Sequence, residues 1–294
     1  MSAPTFIAEV SSNHSCDAGR AGAFVDTAAA IGCAGVKFQQ FRIDELFAPE
    51  ALAAEPKLAA RRAWEMPEAF NAGLAARARD RGILYASTPF YRRAIEVLEP
   101  HVDFFKISSY QVLWLDFLRE VASTGKPVVL ATGMATLEEV EDAVGALRSG
   151  GCERPTLLHC VSCYPTPPEE ANLAAIATLR EAFALPIGWS DHTVHPGVVQ
   201  RAVCSFGAEM VEFHLDLDRG GEEYSFGHCW LPGAARETIA RALAGVATDV
   251  PAEVDGDGSK EPRPDEGEER LWRSDPADGL RPLRERRARL RAAG

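Results

Sequence analysis

Two histidines stand at the ends of short apolar runs. His192 follows Leu185-Pro186-Ile187-Gly188-Trp189-Ser190-Asp191, and His214 follows Met210-Val211-Glu212-Phe213. Imidazole is a good ligand for divalent ions. Residues 196–206, between the two runs, have helical character closed by Gly207. Two strands joined by one crossover helix would bring both rings to the same end of a parallel sheet. That geometry suits one shared ion, although a single histidine is more often structural than a ligand.

The other apolar runs also end in polar groups. Glu9, Asn13 and His14 follow the first, Lys37 and Gln39 the second, and Thr88 the third. Lys106, Ser108 and Ser109 come next, then Thr132, then Ser162 and Tyr164, then Ser190 and Asp191. Core packing does not ask for this, because an unpaired buried charge is costly. Lys37 and Lys106 each need an anionic partner, or a carbonyl with which to condense. Thr88, Ser109, Thr132 and Ser162 are small hydroxyl donors of the kind that surround a phosphate or carboxylate. Backbone amides at a helix start, as at Thr132-Gly133-Met134, would add to such an anion site. Cys160-Val161-Ser162-Cys163 has half the spacing of a zinc site but no second half, and reads as ordinary thiols.

These positions are set by a regular alternation. Strands are expected at 5–10, 35–39, 83–88, 102–107, 127–131 and 155–160, followed by the two histidine strands. Helices are expected at 18–31, 67–81, 91–98, 115–124, 136–148, 173–183 and 232–246. Thr136-Leu137-Glu138-Glu139 carries a capping-box pattern at one helix start. Residues 42–65 are longer than a usual connection, as functional loops often are. Eight strand–helix units with polar strand ends predict a (β/α)8 TIM barrel of class α/β over residues 1–250.

Residues 251–294 differ, forming an acidic linker and a basic C-terminal tail. Residues 252–269 are rich in Asp, Glu, Gly and Pro and predict a mobile linker. Leu271-Trp272 could dock back, and residues 281–291 predict a short basic helix with a solvated face.

The net charge of −12, without clusters of Lys and Arg in the body of the chain, argues against nucleic acid as a partner. No apolar run reaches the roughly 18 residues of a membrane span, and Met1-Ser2-Ala3-Pro4 lacks the features of a signal peptide. Seven irregularly spaced cysteines argue against a disulfide framework and for a reducing, cytoplasmic compartment.

In order and spacing over residues 5–218, the motifs resemble those of the sialic acid synthases (N-acetylneuraminate synthases). They include Ala8-Glu9, Asn13-His14, Val36-Lys37-Phe38-Gln39, Ser87-Thr88-Pro89-Phe90, Phe105-Lys106-Ile107, Thr132-Gly133-Met134, Leu158-His159-Cys160, Tyr164-Pro165-Thr166-Pro167 and Ser190-Asp191-His192-Thr193. The resemblance implies a TIM-barrel enzyme that condenses phosphoenolpyruvate with an aldose, N-acetylmannosamine or a related sugar. The products would be a 2-keto acid sugar and phosphate, and a divalent metal, Mn2+ or Mg2+, would be required. By matching motif, His192 and His214 would hold the metal. Thr88, Lys106, Ser109, Ser162 and Ser190 would hold phosphoenolpyruvate, and Glu9, Lys37, Gln39 and Tyr164 would face the sugar. A homodimer is a further expectation.

Three departures qualify the match. Ala131 replaces a usual serine before Thr-Gly-Met. The Pro-Gly-Pro-Asp stretch expected after the eighth strand is replaced by Asp218-Arg219-Gly220-Gly221-Glu222-Glu223-Tyr224, so that Glu222 or Glu223 takes the place of a sugar-contacting aspartate. We place Glu222 in the substrate set. The antifreeze-like domain, which supplies an arginine to the partner's site in that family, finds no match in these residues. Only Trp272-Arg273-Ser274-Asp275 and the arginine-rich tail could serve instead. Two other readings compete: a Schiff-base pyruvate aldolase using Lys106 or Lys37, and a non-catalytic sugar-acid-binding barrel.

Overall fold

Eight short, largely buried strands close into one parallel barrel in chain order in the computed structural model, which describes residues 3–246 and 249–293. They are β1 (Thr5–Glu9), β2 (Gly35–Gln40), β3 (Leu84–Pro89), β4 (Phe104–Ile107), β5 (Val128–Ala131), β6 (Thr156–His159), β7 (Ile187–Asp191) and β8 (Met210–His214). The α/β barrel expected from the alternation is therefore the fold. Met1 and Ser2, part of the segment weighed as a signal peptide, lie outside the described residues.

Side chains alternate along each strand between the barrel interior and the layer under the helices. Ile7, Ala86, Phe104, Val129, Ala131 and Leu158 form the small apolar plug inside. A far larger apolar layer joins strands to helices, with Phe6, Phe24, Val36, Phe105, Leu130 and Trp189 among its members. Room inside is tight: a Cβ at Gly188 would lie 2.3 Å from the Met210 carbonyl oxygen and 2.6 Å from Leu158 Cδ2. Strand register then aligns the polar ends. Glu9 lies beside Lys37 on one side and His214 on the other, Gln39 beside Thr88, and Ser190 beside Glu212.

The capping box is present. Thr136 Oγ1 accepts from Glu139 N at 3.2 Å, and Thr136 N donates to Glu139 Oε2 at 3.0 Å. The same Glu139 carboxylate pairs with Arg270 and Arg273 of the C-terminal segment.

The mobile linker expected over residues 252–269 is not what the structure has. Turns at Ala252–Asp255, Pro264–Glu266 and Glu269–Trp272 are bolted to the top of the barrel. Lys260 Nζ donates to the carbonyls of Thr132 (2.6 Å) and Ala135 (2.9 Å). Glu266 Oε1 accepts from Met134 N (2.9 Å) and Ser162 N (2.7 Å). Composition misled because the anchors are buried charges on backbone groups of distant loops. The solvated face expected for residues 281–291 is also corrected in part. Arg287 is buried and paired with Asp278 at 2.6 Å, and Arg281 turns inward. Trp272 docks as expected. It joins Leu290 and the β2–β3 connection in a second apolar cluster built on Phe41, Ile43, Leu46, Phe47, Ala51, Leu58 and Phe90. The 42–65 stretch folds as short helices, Ile43–Leu46, Pro49–Ala54 and Pro56–Ala60, followed by a 3-10 turn at Arg61–Trp64.

Candidate active site

The carboxyl ends of the strands open into a cavity of about 580 Å³. Its floor is a buried chain of opposite charges. Lys37 Nζ lies 2.5 Å from Glu9 Oε2 and 3.9 Å from Glu212 Oε1, while Lys106 Nζ lies 3.1 Å from the same Glu212 oxygen. Gln39 Nε2 donates to Glu9 Oε1 at 2.6 Å. Thr88 Oγ1 accepts from Lys37 at 3.3 Å, and Ser190 Oγ donates to Glu212 at 3.4 Å. Burial pulls the Lys106 ammonium toward neutrality, but Glu212 and Glu9 outweigh it and leave its pKa above the usual value. Burial likewise opposes ionisation of Glu212, yet Lys106 and Lys37 hold the carboxyl below its usual range. Lys106 and Glu212 are thus held ionised by their neighbours, and the floor is largely self-satisfied, with two lysines lining the cavity.

Beside it is a cluster of hydroxyls. Ser109 Oγ accepts from Gly133 N at 2.9 Å and lies 3.2 Å from Cys160 Sγ. Ser162 Oγ is buried without a hydrogen-bond partner, a state that a bound oxyanion would relieve. Gly133 is required here, since a Cβ would lie 2.4 Å from Ser162 Oγ and 3.0 Å from Ser109 Oγ.

In the same cavity, His192 and His214 have ring centroids 5.6 Å apart. His192 Nδ1 lies 2.7 Å from the Val161 carbonyl oxygen and donates to it, which leaves Nε2 free to accept. Burial, with His214 next, holds His192 well below its usual pKa, so the ring is neutral and able to ligate. His214 Nδ1 is buried with no hydrogen-bond partner. Two imidazoles, each with a nitrogen left without a hydrogen-bond partner, fit a divalent ion. Tyr164 stacks on His192 at 4.2 Å between centroids.

Most of the residues chosen from the sequence therefore meet in one cavity: Glu9, Lys37, Gln39, Thr88, Lys106, Ser109, Ser162, Tyr164, Ser190, His192 and His214 all line it. Two do not. Thr132 Oγ1 is buried behind the wall, donating to the Leu158 carbonyl at 3.0 Å. Of the amides beside it, expected to bind an external anion, Gly133 N donates to Ser109 Oγ and Met134 N to Glu266 Oε1. Glu222 is exposed and points away, whereas Glu223 enters the cavity. The choice between these neighbours depended on a loop with no periodicity. Asn13 supports that loop, accepting from Glu223 N at 2.8 Å. Asp191 is an anchor for the histidine turn, accepting from Trp230 Nε1 at 2.8 Å and Thr193 Oγ1 at 2.7 Å.

Several lining residues were missed, Glu212, His228, Arg61 and Arg281 among them. Glu212 could have been found, because it shares a strand face with His214 two residues on. His228 had no signal beyond its residue type. Arg61, at the rim, comes from the long β2–β3 connection. Arg281 comes from the tail of the same chain, its guanidinium 3.6 Å from the centre of the Tyr110 ring and its Nε 2.7 Å from the Trp272 carbonyl oxygen. Tyr110 in turn donates its hydroxyl to Glu269, another residue of the rim.

A closed parallel barrel with charge pairs, hydroxyls and free imidazoles at its carboxyl end has the layout of a TIM-barrel enzyme. More narrowly, the chain belongs to the NeuB family, whose profile matches residues 24–237. It is 34% identical over 234 residues to the N,N'-diacetyllegionaminic acid synthase of Campylobacter jejuni, covering 74% of this chain and 69% of that protein. It is 32% identical over 238 residues to the spore coat polysaccharide biosynthesis protein SpsE of Bacillus subtilis, covering 76% of this chain and 63% of that protein. The chain thus spans about two thirds of the length of these relatives. Among solved structures, the N-acetylneuraminic acid synthetase of Leptospira borgpetersenii superposes with a TM-score of 0.77 at 29% identity, covering 91% of this chain and 90% of that one. No described helix is long and apolar enough to cross a membrane.

Proposed function

We propose that the chain condenses phosphoenolpyruvate with an aldose, N-acetylmannosamine or a related sugar, to give a 2-keto acid sugar and phosphate. The observation that carries this reading is the pairing of two unlike half-sites across one cavity. Lys106, Ser109 and the partnerless Ser162 hydroxyl suit an anion. His192 and His214, lining the same cavity, suit a divalent ion, Mn2+ or Mg2+. When bound, that ion polarises the aldehyde oxygen of the open-chain sugar.

The protein's own residues supply the rest. Lys106 with the hydroxyls of Thr88, Ser109, Ser162 and Ser190 holds the carboxylate and phosphate of phosphoenolpyruvate. C3 of phosphoenolpyruvate forms the new carbon–carbon bond at the aldehyde carbon, water adds to C2, and phosphate leaves. Glu9 stabilises the positive charge that develops at C2 or moves the proton, and its contact with Lys37 gives that proton a route. Gln39 and Tyr164 orient the sugar, and Glu223 takes the position considered for Glu222. A Schiff-base mechanism would need a neutral lysine, and Lys106 is held charged by Glu212.

The test is incubation with phosphoenolpyruvate, Mn2+ and a panel of hexosamines and other aldoses, measuring phosphate and product mass. Release of phosphate with a product of summed carbon skeleton is expected, and EDTA should abolish it. A lysine adduct trapped by borohydride would overturn the proposal. His192→Ala should lose at least about 10²-fold in kcat/KM.

A further inference from the structure

The loop after β8 carries a carboxylate and another imidazole up to His214. Glu223 is held from two sides: its N–H donates to Asn13 Oδ1, and its Oε1 accepts the Ser11 hydroxyl at 2.6 Å. Its other oxygen, Oε2, is thereby fixed 3.4 Å from His214 Nδ1 and 3.5 Å from His228 Nε2. The two imidazoles stand nearly edge-to-face, 4.6 Å between centroids, and His214, His228 and the buried Cys229 each bring one ligand atom within 4.8 Å of the others.

These separations are long for hydrogen bonds to an imidazole. His214 Nδ1 and His228 Nδ1 are both buried with no hydrogen-bond partner. They do match a coordination polyhedron: two donors each about 2.1 Å from one tetrahedral ion lie about 3.4 Å apart. The setting of His228 also lacks a structural explanation. It is 3% exposed, boxed by His214 (4.6 Å), Tyr164 (5.2 Å) and Phe226 (6.3 Å), with the Glu223 carboxylate beside its Nε2. A buried histidine kept only for packing would normally hydrogen-bond to a neighbour.

We infer that the metal centre of this chain is larger than a histidine pair, with His228 and Glu223 joining His192 and His214 as protein ligands of an ion that adds the sugar oxygen as a further ligand. This rests on the metal-dependent reading proposed above. A centre rich in nitrogen with one carboxylate suits borderline ions such as Co2+ or Zn2+ best, and Mn2+ better than Mg2+, which keeps oxygen and water ligands.

Metal binding by the full chain without substrates tests it. Metal-stripped protein is titrated with Mn2+ by calorimetry and with Co2+ by visible absorption, whose intensity reports coordination number. His228→Ala, His228→Gln and Glu223→Gln should each weaken Mn2+ binding at least about 10-fold and change the Co2+ spectrum, with melting temperatures close to that of the parent. The glutamine variants keep side-chain volume in case the alanine variant does not fold. Unchanged affinity and spectrum in His228→Gln and Glu223→Gln would overturn the inference. So would weakened affinity with an unchanged Co2+ spectrum, since the loop would then only orient His214. If His192→Ala loses binding while the loop variants do not, the extension alone fails. If His192→Ala and the loop variants all bind normally, the histidine-pair reading fails with it.

Discussion

The floor of the cavity and its rim are built on different principles. On the floor, Glu9, Lys37, Lys106 and Glu212 come from strand ends whose register is fixed by the barrel, and they satisfy one another within 4 Å. On the rim, Arg61, Glu269 and Arg281 come from connections and the tail: Arg281 is held by the Tyr110 ring and the Trp272 carbonyl, Glu269 by the Tyr110 hydroxyl, and Arg61 lies over the neighbouring Trp64 ring. A floor set by strand register tolerates little change in identity or geometry. A rim assembled from loops can change its residues while the floor stays put. Under the proposed function the two regions would divide the work, the floor setting the reaction and the rim setting which acceptor reaches it.

Four substitutions press on that division. The largest effect belongs to the floor: Lys106→Met should reduce kcat/KM for phosphate release about 10³-fold, with phosphoenolpyruvate binding weakened in parallel. A loss below tenfold would place the anion site elsewhere. Next is the clamp between rim and barrel. Glu266→Ala leaves the amides of Met134 and Ser162 without their acceptor and should cost about 2–3 kcal/mol in denaturant unfolding.

The third prediction concerns pH. Burial holds His159 down to about 3, with Lys260 adding to the effect. The unfolded chain therefore takes up a proton near pH 6.5 that the folded chain refuses, so stability should fall as pH drops from about 6.5 toward 3. His14, lowered to about 4 by burial, acts in the same direction. Between pH 6.5 and 4.5, above the carboxylate range, His159 alone should account for about 2 kcal/mol. His159→Gln should flatten that slope, and an unchanged slope would point to another group. The smallest effect is expected at the rim: Arg281→Ala should raise KM for the aldose about tenfold, with phosphoenolpyruvate KM unchanged. Equal effects on both substrates would break the division of floor from rim.

The same contrast governs what the sequence revealed. Strand-end residues were legible because alternation and register depend on local pattern, so Glu9, Lys37, Lys106, His192 and His214 could be placed together before any coordinates. Glu212 was legible too, from its place two residues before His214, and was overlooked. The rim was not legible. Glu266 reaches amides at Met134 and Ser162, 132 and 104 residues away, and nothing in an acidic, Pro- and Gly-rich stretch marks that partnership. Glu222 and Glu223 differ in sequence by one position and in the fold by which way a loop turns.

The Glu266 clamp has a consequence in time. Every strand precedes it in the chain, so the barrel can close through the pairing of β1 with β8 before Glu266 has been synthesised. Until it arrives, the amides of Met134 and Ser162 have only water to satisfy them. A nascent chain therefore acquires its shape first and its finished mouth last, and a chain halted after β8 would hold a barrel whose entrance is still unset.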